Sequence, residues 1–279
     1  MISAIKNWLK INRFTFSLAL MVREFIIPAL LRRPVNELNR DDKKILNQLK
    51  KDGIVVIPNY FSEDECVIMK SEFDKHVDNH SIYCKENEYR IFGIEKLSKE
   101  VKKIFTNDVL SWKICEEYLG EKMSLQSTMM AKIAFKKDVK YGSGGSFHRD
   151  SYSKQIKSIA YLTDMTDENG PFMYIKGSHR MSNILKAIFL LKKEGGAGNF
   201  RYSDSEINST QKILQEDISY FPCNKGTLVL ADIRGLHTTR YLKSGKAYSI
   251  FNYYISSFDD RKDSNIRKIS NEKKNDRQN

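Results

Sequence analysis

From about residue 123 onward the chain reads as short strands separated by glycine-rich or polar turns, and this punctuation restricts the fold more than any other feature. The segments STMMAKIAF (127–135), IKSIAYLT (156–163), FMYI (172–175), TLVLAD (227–232) and AYSIFNYYIS (247–256) are rich in β-branched and aromatic residues. Several short strands at this spacing predict a sandwich or a barrel. The fold class expected is mainly β, with flanking helices packed on the outside.

The helices precede the strands. Residues 38–51, LNRDDKKILNQLKK, have helical periodicity with the charges on one face. Gly53 ends this helix, and Ile54-Val55-Val56-Ile57 forms a β-branched strand closed by Pro58. Ser62, with Glu65 three residues on, is an N-cap and capping-box pair that opens a second helix running to about His80. Residues 95–119 are also expected to be helical, with Trp112 and Tyr118 in the core. The stretch 182–215 interrupts the strand pattern as a partly helical insertion containing Gly195-Gly196-Ala197-Gly198, either a lid or a passive surface loop.

Residues 1–34 stand apart. They carry Trp8, Phe14, Phe16 and Phe25, with six Lys or Arg against the single acid Glu24. The longest uncharged run, Phe14 to Val22, is far short of the ~20 apolar residues a spanning helix needs. Two readings stay open: a helix that packs on the domain, or a basic amphipathic helix on an anionic membrane surface. Pro28 and Pro34 should kink and then end it. The chain from Asp259 is charged, lacks aromatics and is expected to be a disordered tail. The organisation expected is therefore an amphipathic helical segment (1–37), one domain (38–258) and a tail (259–279).

The net charge of +12 points to anionic surroundings, but no helix-turn-helix, zinc-finger or RNA-binding pattern accompanies it, so nucleic acid is not an expected partner. Cys66, Cys84, Cys115 and Cys223 are widely spaced and show no CxxC pairing, as reduced thiols of a cytoplasmic protein would. The expected location is the cytoplasm, with peripheral membrane contact through residues 1–34 as the further option.

The chemistry concentrates at Gly142-Ser-Gly-Gly-Ser-Phe-His148-Arg149-Asp150. On a strand, residues i and i+2 share a face, so an HxD sequence delivers an imidazole and a carboxylate to one small volume. A third ligand must come from elsewhere, and His237 lies just after the strand 227–232 and before another. His148, Asp150 and His237 would form the two-histidine, one-carboxylate facial triad that binds Fe(II) with coordination positions open opposite. His179 is expected to be a hydrogen-bonding turn residue, and His76 and His80 belong to the helix ending near residue 80.

The segments HRD (148–150), the strand and ENGPF turn (159–172), KGSHR (176–180), GTLVLADIRGLH (226–237) and DGIVVIPNYFSEDEC (52–66) resemble the phytanoyl-CoA dioxygenase family of Fe(II)- and 2-oxoglutarate-dependent hydroxylases. The resemblance spans roughly residues 45–256. It implies a double-stranded β-helix, the jelly-roll or cupin-like barrel, with Fe(II) as metal, 2-oxoglutarate as cosubstrate and O2 as oxidant. It also implies a basic residue for the distal carboxylate of 2-oxoglutarate, usually an arginine about ten residues past the second histidine. Here position 246 is Lys and position 248 is Tyr, so Lys246, or Arg240, is the expected partner. Tyr161 falls where the family places an aromatic in contact with the cosubstrate. With Asp150 present, hydroxylation is expected over halogenation, and the substrate is a small or lipid-linked, anionic metabolite. A barrel that binds without turnover, or a metal enzyme of this fold that does not use 2-oxoglutarate, are the alternatives.

Overall fold

In the computed structural model, residues 13–22, 26, 35–80, 82–84, 87–138, 145–192 and 200–256 are described. The helices are α1 (Arg13–Met21), α2 (Arg40–Asp52), α3 (Glu63–His80), α4 (Val109–Leu119), α5 (Met181–Leu190) and α6 (Asp204–Leu214). The strands are β1 (Ile54–Ile57), β2 (Ile82–Cys84), β3 (Glu88–Phe92), β4 (Met123–Ala134), β5 (Ile156–Tyr161), β6 (Phe172–Ile175), β7 (Ile218–Phe221), β8 (Leu228–Asp232), β9 (His237–Thr239) and β10 (Lys246–Ser256). Pro28, Pro34, the 195–198 glycine cluster and the tail from 259 lie outside the described residues.

Two antiparallel sheets make the barrel expected from the strand texture. The larger has the order β1-β8-β5-β10-β4-β3-β2 and the smaller β7-β6-β9. β4 and β5 are not ladder neighbours, because β10 returns from the C-terminal end to lie between them, and β6 follows β5 in sequence but belongs to the other sheet. β8 shows how the larger sheet is sealed on both faces. Val229 and Ala231 point inward to meet Ile54, Ile159 and Phe172, whereas Leu228 and Leu230 point outward beneath the helices, against the cluster that includes Leu49, Met69, Phe73 and Ile114. A strand buried on both sides has no polar face, which is why this stretch reads as an unbroken apolar run.

Local chemistry sets the helix ends. Asn39 caps α2 by accepting from the amides of Asp41 and Asp42 (3.0 and 2.8 Å), and Asp42 accepts from the Asn39 amide in return. Ser62 and Glu65 exchange the same pair of bonds at the start of α3. Gly53 closes α2 at φ 81° and packs so tightly on His179 and Tyr174 that a Cβ there would overlap both side chains.

The KGSHR segment completes that end of α2. The Gly177 amide donates to the Asp52 carbonyl (2.9 Å), the Arg180 guanidinium to the Lys51 carbonyl (2.6 Å), and His179 Nε2 lies 3.2 Å from the Lys50 carbonyl. Three carbonyls at the helix end are thereby satisfied by one turn, and His179 has the turn role expected of it. Its burial lowers the imidazole pKa to about 4, so the ring is neutral.

The span 95–119 is not one helix. Short helical turns, including a π-turn at Lys102–Thr106, precede Asp108, which caps α4 by accepting from the Ser111 amide (2.8 Å). Tyr118 is buried, and Trp112 is half-buried against Tyr254. Cys66, Cys115 and Cys223 are free thiols, the first two buried. No helix among the described residues is long and apolar enough to cross a membrane.

Candidate metal centre

The three predicted ligands meet on the inner side of the smaller sheet. His148 and His237 face each other across a two-bond backbone bridge, each amide donating to the other's carbonyl (3.1 and 3.0 Å). This pairing extends the small sheet by one short edge beyond β9 and places the two rings 4.6 Å apart between centroids. Asp150 is fixed by its own amide, which donates to the Ile233 carbonyl (3.0 Å).

Asp150 Oδ1 lies 3.1 Å from His148 Nε2 and 3.5 Å from His237 Nε2, and the three ligand atoms all fall within 4.8 Å of one another. A first-row divalent ion about 2.1 Å from each ligand would set right-angled neighbours about 3 Å apart, so the cluster needs little closure to hold one. The tautomers agree. His148 Nδ1 lies 2.9 Å from the Ser146 carbonyl and His237 Nδ1 2.9 Å from the Gly235 carbonyl, so Nδ1 carries the proton and the Nε2 lone pairs point at the shared site. Burial also lowers the His237 pKa against the pull of Asp150, which favours the neutral, ligating ring.

Arg149, between the two ligands of the HxD pair, points the other way and is buried. Its guanidinium donates to the carbonyls of Ser178 (2.8 Å) and Arg234, and to the Tyr202 hydroxyl (3.2 Å). Asp232 and Arg234 form a buried ion pair (2.6 Å) that Tyr118 joins through its hydroxyl (2.6 Å). Together these tie the HxD strand, the KGSHR turn and the loop before His237 into one unit. The motifs that stood out in the sequence are thus largely the frame of the site.

Lys157 is the residue that sequence reasoning missed. It sits on the inner face of β5, its ammonium against Asp150 Oδ2 and over the Tyr253 ring at 4.5 Å. Burial alone would push the Asp150 carboxyl up, but Lys157 and the two imidazoles outweigh it and hold the group well below the usual carboxylate range. Burial likewise works against the Lys157 ammonium, and Asp150 and Tyr253 more than restore it. Period-two alternation in IKSIAYLT was the available signal, because it puts Lys157 on the face of Ile159 and Tyr161.

The triad opens into a cavity of about 490 Å³ between the sheets. Tyr161 lines it, whereas Lys246 and Arg240 are not in the lining. On β10 the inward residues are Ala247, Ser249, Phe251 and Tyr253, and Lys246 is exposed. Arg240 pairs with Asp167 (3.3 Å) and lies over the Tyr220 ring. Among the described residues, Arg90, Lys157 and Arg201 line the cavity, Arg149 borders it with its guanidinium turned to the frame, and Asp150 is the one carboxylate in the lining. Arg90 comes from β3, a short strand with no clear signature in the sequence. It shares an inward row with Ala131, Ser249 and Tyr161, each the ladder partner of the next.

A jelly roll that brings two imidazoles and one carboxylate together on one face defines the class of mononuclear non-haem iron oxygenases. Within that class the chain belongs to the phytanoyl-CoA dioxygenase family, whose profile matches residues 49–247. It is a non-haem enzyme of the Fe(II)/2-oxoglutarate type that this family comprises. No curated protein matches the sequence.

Solved structures share the fold at low identity. The epimerase SnoN from nogalamycin biosynthesis, in complex with Fe3+, α-ketoglutarate and nogalamycin RO, superposes at a TM-score of 0.62 with 13% identity over 78% of this chain and 84% of that one. HygX from Streptomyces hygroscopicus, with nickel, 2-oxoglutarate and hygromycin B, gives 0.56 with 18% identity over 79% and 88%. EctD from S. alaskensis, with 2-oxoglutarate and 5-hydroxyectoine, gives 0.59 with 17% identity over 80% and 81%.

Proposed function

We propose that this enzyme hydroxylates an anionic small or lipid-linked metabolite, and that Arg90 replaces Lys246 and Arg240 as the partner of the cosubstrate's distal carboxylate. The observation that carries the reading is the charge of the cavity: among the described residues, Arg90, Lys157 and Arg201 line it against one carboxylate, Asp150, which faces the two imidazoles. The SnoN, HygX and EctD structures, with this fold, contain 2-oxoglutarate or α-ketoglutarate together with nogalamycin RO, hygromycin B or 5-hydroxyectoine.

When bound, Fe(II) with 2-oxoglutarate supplies the chemistry that splits O2 between a hydroxylated product and succinate, with loss of CO2. The chain's own residues do the positioning. His148 Nε2, His237 Nε2 and Asp150 Oδ1 would hold the metal, and the Ser146 and Gly235 carbonyls fix the two rings. Lys157 keeps the second carboxylate oxygen turned away from the imidazoles. Ala131, Ala247 and Ser249 are small, which lets the Arg90 guanidinium reach the cavity across them, with the Glu88 carboxylate beside it at 2.5 Å. Tyr161, kept neutral by burial, offers a hydroxyl at the far end of that row. Met129, Phe172 and Phe251 make the apolar walls that limit water.

The exposed Arg201 also lines the cavity, and we assign it to the substrate's own negative charge. The test is succinate release with Fe(II), 2-oxoglutarate and a panel of metabolites sorted by charge. Anionic members should stimulate release above the uncoupled rate; stimulation confined to neutral or cationic members would contradict the reading.

A further inference from the structure

α1 has two different faces. Leu20 is buried with Tyr152 and with Ile184 and Ile188 of α5, and Phe16 meets the Tyr152 ring edge-on at 5.2 Å. The opposite side presents Phe14, Leu18, Met21 and Val22 to solvent, with Leu18 62% exposed. Phe14, Leu18 and Val22 are four residues apart and so form one stripe along the helix. α5 continues the patch beside it: Phe189 touches Phe14 edge-on at 5.2 Å, and Leu190 is 64% exposed. Two elements thus share one outward apolar surface, where soluble proteins usually scatter such residues singly.

Among the described residues, neither α1 nor α5 contains an acidic residue, and Lys186 and Lys192 are exposed on and just after α5. In sequence, residues 1–34 are also basic, with six Lys or Arg against Glu24. A second copy of the same face would bring Lys186 and Lys192 together with their counterparts, which disfavours self-association. An anionic bilayer satisfies both features, since its headgroups meet the cations and its acyl boundary takes the leucine and phenylalanine side chains.

We infer that the α1–α5 face docks the protein on the surface of an anionic membrane, lying in the interface without crossing it. The same face backs onto the metal site. Tyr152, two residues from Asp150, lies between Phe16 and Phe200 (5.2 and 5.4 Å), and Phe200 lines the cavity. A docked molecule therefore has one cavity wall two aromatic rings from the lipid side, an arrangement suited to an anionic amphiphile; that last consequence rests on the proposed function, whereas the docking does not.

Co-sedimentation of the full chain with vesicles tests this, using phosphatidylcholine alone and phosphatidylcholine with about 30% phosphatidylglycerol. The wild type should partition onto the anionic vesicles at least about tenfold more strongly than onto neutral ones, and high salt should release it. The double variant Leu18→Glu with Leu190→Glu should lose about tenfold or more of that partitioning. Its melting temperature and its binding of Fe(II) and 2-oxoglutarate should match the wild type, because both side chains are exposed. Failure of the wild type to bind anionic vesicles at low salt would overturn the inference, as would binding indifferent to the two substitutions. So would a dimer that forms through these leucines instead. Metal and cosubstrate binding, measured on the same samples, reports on the functional reading separately.

Discussion

The ammonium of Lys157 lies against one oxygen of Asp150 while the other oxygen faces both His148 and His237. A lysine and a divalent ion would thus share a single half-buried carboxylate from opposite sides. Replacing Lys157 with Met should destabilise the metal-free protein by about 1–3 kcal/mol, because a half-buried carboxylate loses its partner. Metal should then stabilise the variant more than it stabilises the wild type, because the ion no longer faces a neighbouring cation. Thermal unfolding with and without Mn(II) measures both effects, and an equal or smaller metal-induced shift in Lys157→Met would contradict the arrangement.

Arg90 lines the cavity in one ladder row with Ala131 and Ser249, and is proposed to pair with the distal carboxylate of the cosubstrate. Arg90→Gln should weaken 2-oxoglutarate binding about 10- to 100-fold, the size of a lost charge-assisted contact. Lys246→Ala and Arg240→Ala, both outside the cavity lining, should change it less than about threefold, as distant surface changes do. Calorimetric titration of the Mn(II)-loaded protein separates the cases, and a large loss with Lys246→Ala would restore the strand-end lysine as the partner.

The difference between Lys246 and Arg90 shows what was legible in the sequence and what was not. Strands with an unbroken or alternating apolar pattern, such as FMYI and TLVLAD, were readable, and so were the caps at Gly53 and Ser62. β3 (EYRIF), β7 (ISYF) and β9 (HTT) were not, because three to five partly polar residues carry too little periodicity to stand out. β10 was found, but AYSIFNYYIS is apolar on both faces, so nothing local told which of Lys246 and Ala247 faces inward. The ligands His148, Asp150 and His237 could be named from residue type and strand context together with the family-like ENGPF and KGSHR segments between them; the HxD spacing alone would not have carried them. The opposition of His148 to His237 is a long-range backbone pairing, and the work of Arg149 beneath them depends on carbonyls far away in sequence.

Gly235 precedes His237 by two residues, and a Cβ there would overlap the Tyr174 hydroxyl, which bonds the Asp232 carbonyl at 2.8 Å. Gly235→Ala should cost about 1–3 kcal/mol through overpacking and displace the carbonyl that orients His237. Chemical denaturation should show the loss and metal titration a weakened site; a variant with wild-type metal affinity would mean that the Gly235 carbonyl does not set the ring.

His179 gives the fold a defined acid response. Its folded pKa of about 4 lies below the unfolded value, so the unfolded chain takes up a proton first as the pH falls. The stabilisation is complete above about pH 6.5 and is lost on acidification, by about 2 kcal/mol at pH 5. Denaturant unfolding across this range should show the slope in the wild type and its reduction in His179→Gln; an unchanged slope would place the proton uptake elsewhere.

The central claim is that His148, Asp150 and His237 hold iron that 2-oxoglutarate then chelates. Anaerobic addition of Fe(II) followed by 2-oxoglutarate tests it most directly. A metal-to-ligand charge-transfer band should appear in the visible region only when both are present, and should be absent from His148→Ala and His237→Ala variants that remain folded. No band in the wild type, or an unchanged band in either variant, would contradict the account.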